Sequence, residues 1–122
     1  MASFFSRLFG ASPTQGAAWI GIDELREQMA SDDPMVLIDV RQPEEYTAVP
    51  GHLPGTINIP LPDLPGHIAG IAAQGKPVVL VCKTDRRSAR AAELLHSAGV
   101  TQIAILRGGT DAWHALGLKL DL

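Results

Sequence analysis

Cysteine is almost missing from this sequence: Cys82 is the only one in 122 residues. One thiol excludes an internal disulfide, a thiolate-rich zinc site and Cys-x-x-Cys redox chemistry within the chain. Positive charge is also scarce, with ten Lys and Arg against thirteen Asp and Glu and a formal net charge of -3. The global basic footprint of a nucleic-acid binder is therefore absent, and no nucleic acid is expected as a partner. No apolar run approaches the roughly 18 residues that a membrane span needs. The opening stretch from Met1 to Gly10 has a short apolar part broken by Ser6 and Arg7, unlike a secretory signal. A cytoplasmic location with Cys82 kept reduced is the resulting expectation. His52, His67, His96 and His114 show no ligand spacing, so no metal is expected, and no organic cofactor is implied. Internal repeats and low-complexity tracts are lacking too.

What is present reads as one domain able to bury a core without staples. Apolar residues make up 46% of the chain, an ordinary share. Residues 1–18 stand apart as an N-terminal tail, joined through the linker-like Ala11-Ser12-Pro13-Thr14-Gln15-Gly16. All three phenylalanines, Phe4, Phe5 and Phe9, precede that linker and with Leu8 would form one face of a short helix. The tail either packs locally or docks a partner or a second copy through residues 1–12.

The domain is expected over residues 19–119. Ile22, Leu25 and Met29 share a helical face after Gly21, with Glu24 three positions on from that weak cap. Short apolar runs predict strands at Val36–Asp39, Ile57–Ile59, Val78–Val81 and Ile103–Leu106. Helices are predicted over Leu64–Ala73, Ser88–Ala98, ended by Gly99, and Asp111–Leu116, ended near Gly117. Strands that are apolar throughout are covered on both faces. Alternating with helices, they predict an α/β fold with a mostly parallel sheet and helices on each side.

In such sheets the site lies at the carboxyl ends of the strands. Cys82 is the first residue past its predicted strand. Lys83, Thr84, Asp85, Arg86 and Arg87 form a short loop that enters a helix at Ser88. A loop of this kind turns several backbone N–H groups inward and, with the helix dipole, cradles an anion. A thiol at its centre ionises more readily, and Lys83, Arg86 and Arg87 add to that field. A thiolate beside an oxyanion site is what nucleophilic attack on an anionic substrate requires. The bland alternative is a free cysteine buried at a strand end. The cationic loop running straight into a helix favours the nucleophile.

Cys82-Lys83-Thr84-Asp85-Arg86-Arg87-Ser88 resembles the active-site loop of the rhodanese (thiosulfate sulfurtransferase) family, whose pattern is Cys, two variable residues, Gly, one variable residue, Arg, Ser. Asp39-Val40-Arg41-Gln42-Pro43-Glu44-Glu45-Tyr46 resembles its Asp-Val-Arg segment. Gly51-His52-Leu53-Pro54-Gly55-Thr56-Ile57-Asn58-Ile59-Pro60 is similar to its Gly-His-Ile-x-Gly-Ala-x-Asn-Ile-Pro segment. Arg107-Gly108-Gly109-Thr110-Asp111-Ala112-Trp113 is similar to its closing Gly-Gly-x-x-x-Trp segment. The four segments stand in order between Asp39 and Trp113, and the resemblance covers about Trp19 to Lys119, nearly the whole domain.

The resemblance implies a single-domain member with a five-stranded, mostly parallel sheet. It implies that Cys82 attacks the outer sulfur of a donor such as thiosulfate, expelling sulfite, and passes sulfur from its persulfide to a thiol or cyanide. The acceptor thiol could belong to a small molecule or a protein. The loop amides would hold the oxyanion end, and Arg87 would fix both loop and anion. Asp85 departs from the family's glycine. Aspartate tolerates the left-handed region that a glycine there would adopt. It is expected to point outward, paired with an arginine.

Two other readings stay open. One is a non-catalytic persulfide carrier or regulatory module. The other is a phosphatase or arsenate reductase, whose loops carry five residues between Cys and Arg where this chain has four. Outside the loop, Asp39 and Arg41 are expected to form a structural ion pair or turn bonds, with Glu45 a further partner. His52 is read as a hydrogen-bonded structural residue, Trp113 as a core anchor and Arg90 as solvated.

Overall fold

The computed structural model describes residues 17–122. The expectations for a tail packing or docking through residues 1–12 fall outside these residues. The first strand, β1, spans Ala18–Ile20 and is followed by helix α1 at Ile22–Ala30. Glu24 closes the start of α1 by accepting the Gly21 amide at 2.8 Å, the reciprocal half of a capping box. Leu25 is buried, with Ile22 and Met29 packed beside it, so the predicted face is the one that faces the core.

Strand β2 covers Val36–Asp39, α2 Pro43–Thr47 and β3 Ile57–Asn58. A 3-10 helix over Leu61–His67 leads into α3 at Ile68–Ala73. The sequence predicts one helix from Leu64; Pro65 lies within the segment and cannot donate an amide to an α-helical ladder. Strand β4 spans Val78–Val81, α4 Arg86–Ser97, β5 Ile103–Leu106 and α5 Gly109–Ala115. Both α4 and α5 begin two residues earlier than the sequence predicts. Gly99, at φ 95°, follows the end of α4 in the left-handed conformation that only glycine adopts freely.

The strands form one sheet in the order β1-β5-β4-β2-β3, and every strand pairing is parallel. The pleat sends alternate residues to opposite faces. Val36, Ile38, Val78, Leu80, Ile103 and Ile105 meet Leu64, Ile71, Ala91 and Leu95 on one side. Leu37, Val79, Val81, Ala104 and Leu106 meet Leu25 and Trp113 on the other. The continuous apolar strands thus fill two cores at once. Truncating a fully buried side chain such as Leu80 to alanine would cost about 2–5 kcal/mol.

The sheet order has a functional consequence. From β2 the chain moves outward to β3, then returns to the centre at β4 and continues outward the other way to β5. The order reverses between β2 and β4, so the crevice beyond their carboxyl ends is the expected ligand position. Asp39 and Cys82 stand at those two ends.

Candidate active site

Cys82 is the first residue beyond β4 and is 1% exposed. It packs with the core on the α4 side of the sheet. Its sulfur is thus both a packed atom and the base of the loop that leads into α4.

The loop is held from behind by its carbonyls. Thr110 N donates to the Cys82 carbonyl at 2.9 Å and Asp111 N to the Lys83 carbonyl at 3.0 Å. Gly109 lies against the same surface at φ 56°, and a β-carbon there would collide with the carbonyl oxygens of Cys82, Lys83 and Thr84. In a planar trans peptide the N–H points opposite to the C=O. Three carbonyls converging on Gly109 therefore turn the amides of Lys83, Thr84 and Asp85 the other way. None of the amides from Lys83 to Ser88 donates to a backbone carbonyl among the described residues. The last of these are the orphan donors of the α4 first turn, where the helix dipole also favours negative charge. Ser88 is fully buried, and its hydroxyl has no partner.

Side chains of the predicted site separate into two groups. Arg87 grips Glu45 in a two-point contact, Nη1 to Oε1 at 2.5 Å and Nη2 to Oε2 at 3.0 Å. Glu45 Oε1 also accepts the Gln42 amide at the start of α2. The hydrogen bond from Arg87 outweighs the opposing effect of burial and lowers the Glu45 pKa to about 2. The same bond raises the Arg87 pKa, with smaller contributions from its attraction to Cys82 and Asp39. Lys83 pairs with Asp111 at 2.7 Å in an exposed contact. Thr84 and Arg86 are exposed.

Asp85 departs from expectation. It is the N-cap residue of α4 at φ -153°, so the position does not use the left-handed region. It forms no ion pair with an arginine among the described residues: Arg87 is held by Glu45 and Arg90 by Glu93, and Arg86 lies outside ion-pair distance of it. Sequence reasoning also missed Glu45, Gly109, Thr110 and Asp111 as parts of the loop's surroundings. Glu45 lay in a recognised segment, but nothing in its spacing names a partner 42 positions away.

The end of β2 forms the neighbouring wall. Asp39 accepts from Arg41 Nε at 3.0 Å, Nη2 at 2.8 Å and the Arg41 amide at 2.9 Å. Arg41 Nη2 reaches the Gly51 carbonyl, and Asn58 donates to the carbonyls of Asp39 and Arg41. This is the structural pair the sequence suggests, without Glu45. His52 stacks on Tyr46 and donates from Nδ1 to the Tyr46 carbonyl at 2.8 Å. Trp113 is buried and donates to the Lys119 carbonyl, as an anchor should. Arg107 lies over the Trp19 ring, 5.5 Å from its centroid. Among the described residues no three His, Cys, Asp or Glu side chains gather as metal ligands, and no helix is long and apolar enough to cross a membrane.

A strand-end cysteine beneath uncommitted amides, on a five-stranded parallel sheet, defines a class. Residues 22–116 match the rhodanese-like domain, and the chain belongs to that family. It is 38% identical over 109 residues to the uncharacterized protein slr1261 of Synechocystis; the match takes in 88% of this chain and 58% of that relative's length. It is 29% identical to a sulfurtransferase of Allochromatium vinosum, covering 83% of this chain and 92% of that one. A rhodanese-related protein of Thermoplasma volcanium superposes with a TM-score of 0.70 at 27% identity, over 84% of this chain and 95% of the other.

Proposed function

We propose that this chain is a sulfurtransferase that carries a sulfane sulfur on Cys82, from thiosulfate or a related persulfide donor to a thiol or cyanide. The observation that carries the reading is the set of loop amides, Lys83 to Ser88, without backbone acceptors beside the only cysteine. With thiosulfate, the Cys82 thiolate attacks the outer sulfur, the S–S bond of the donor breaks, and sulfite leaves with the bonding electron pair. The persulfide left on Cys82 is itself an anion, and inward amides stabilise it without reorganising. Attack by the acceptor on the outer sulfur then restores the thiolate. Lys83, Thr84, Asp85, Arg86, Arg87 and Ser88 form the substrate-binding loop, with Arg87 held in place by Glu45.

The lone thiol suits a reducing compartment, and the cytoplasm is the location that goes with this reading. The acceptor can be a protein thiol, and residues 1–12 are the proposed docking segment. The deciding experiment is intact mass measurement after exposure to thiosulfate, followed by addition of cyanide or a thiol. The wild type should gain one sulfur and lose it to the acceptor, and Cys82→Ala should gain none. Sulfur gained but never released would assign the chain to the persulfide-carrier alternative. No gain in a folded protein would refute sulfur transfer from thiosulfate.

A further inference from the structure

The charges around the loop define its donor more narrowly than its backbone does. Four cations stand on the loop and the first turns of α4: Lys83, Arg86, Arg87 and Arg90. Three have a carboxylate partner. Lys83 meets Asp111 at 2.7 Å, Arg87 meets Glu45 at 2.5 Å, and Arg90 meets Glu93 at 3.0 Å. The fourth, Arg86, adjoins Asp85, which occupies the loop itself. Counting Asp85, four cations stand with four carboxylates, so the formal charges of the rim cancel although Arg86 has no ion-pair partner among the described residues. Glu45 stays ionised throughout the neutral range, since its pKa lies near 2.

This balance bears on the first chemical step. Thiosulfate brings two negative charges to a thiolate, and like charges drawn together outside bulk water repel strongly. Amide dipoles soften that repulsion, but only net positive charge draws a dianion in from solution. An organic persulfide makes no such demand. Resting on the sulfurtransferase reading, we propose that this site selects an uncharged or singly charged sulfane donor, an organic persulfide, over the thiosulfate dianion, with Asp111 and Glu45 as the residues that set the preference. The step balances as Cys82–S⁻ + R–S–SH → Cys82–S–SH + R–S⁻. One S–S bond forms and one breaks, the proton travels with the transferred sulfur, and the leaving thiolate takes the electron pair. Nothing outside the pair is oxidised or reduced.

The test is kcat/KM of the full chain with the persulfide of 2-mercaptoethanol, which carries at most one negative charge, and with thiosulfate, using one acceptor at low ionic strength. The persulfide should be favoured by about tenfold or more. Asp111→Asn should lower KM for thiosulfate by about 2–5-fold and change the persulfide value by less than about twofold, and Glu45→Gln, which also loosens Arg87, should lower the KM for thiosulfate relative to that for the persulfide. Raising the salt concentration should shrink those gains by screening. A gain in affinity cannot arise from a misfolded variant. Thiosulfate used as well as the persulfide, or a donor ratio unmoved by both substitutions, would overturn the donor assignment alone. Sulfur uptake from neither donor would instead overturn the sulfurtransferase reading beneath it.

Discussion

Strands β2 and β4 lie side by side and end on the same edge of the sheet, yet their ends differ in kind. Past β2, the carboxylate of Asp39, the guanidinium of Arg41 and the carbonyls of both residues all have partners. Past β4, only the carbonyl side of the chain is satisfied, and the amides from Lys83 to Ser88 have no backbone acceptor. Amides that have no acceptor within the protein, at the start of a helix and beside a buried cysteine, are free to meet a ligand. The closed end reads as architecture and the open end as a place that waits for an anion. Polar residue types alone would not separate them, since Asp39 and Arg41 look as chemically capable as anything in the loop.

Substitutions can break or sharpen this contrast. Cys82→Ala should have the largest effect on chemistry, abolishing sulfur uptake by mass, while the loss of its packed sulfur lowers stability by only about 1 kcal/mol. Arg41→Ala should have the largest effect on stability. It strands a buried carboxylate and should cost about 3–5 kcal/mol in denaturant unfolding. Were it instead to remove sulfur uptake from a stable protein, the β2 end would be part of the site. Gly109→Ala acts on both properties, because the new β-carbon displaces the loop carbonyls and the residue keeps a left-handed φ. Strain of about 3 kcal/mol and a loss of roughly 10²-fold in transfer rate are expected.

Smaller effects come from the rim. The Glu45 pKa is lower in the folded chain than its ordinary 4.5. Its pairing therefore stabilises fully above that value and is lost as the pH falls toward 2. About a third of each partner is exposed, so the contribution is screened to about 1 kcal/mol. Glu45→Gln should flatten the acid side of the stability curve between pH 4.5 and 2, measured by urea unfolding. Arg107→Ala removes a cation from the half-exposed Trp19 ring and should cost about 0.5–1 kcal/mol. Sulfur uptake should be unchanged.

The same contrast explains how much of the molecule could be read from its residues. Val36–Asp39, Val78–Val81 and Ile103–Leu106 are strands at the bounds expected, because uninterrupted apolar runs have one favourable place, inside a covered parallel sheet. Ala18–Ile20 escaped notice as a strand: it is three residues long and lies at the sheet edge with Trp19 half exposed. Pro43 opens α2, where its missing amide costs nothing, and the five-residue helix it starts was not predicted. Cys82 and its loop were legible because their chemistry is local in sequence. The ties of Arg87 to Glu45 and of Lys83 to Asp111 were not, since they depend on how distant segments meet.

Gly109 leaves one further mark on the molecule. The loop is clasped through main-chain oxygens, which every amino acid supplies, so the exposed positions 83, 84 and 86 can change identity without dismantling the clasp. The cysteine's seat and the electrical character of its doorway are therefore separately adjustable. Recoloring the doorway toward a different donor would be a matter of exchanging surface residues, with the scaffold beneath left as it stands.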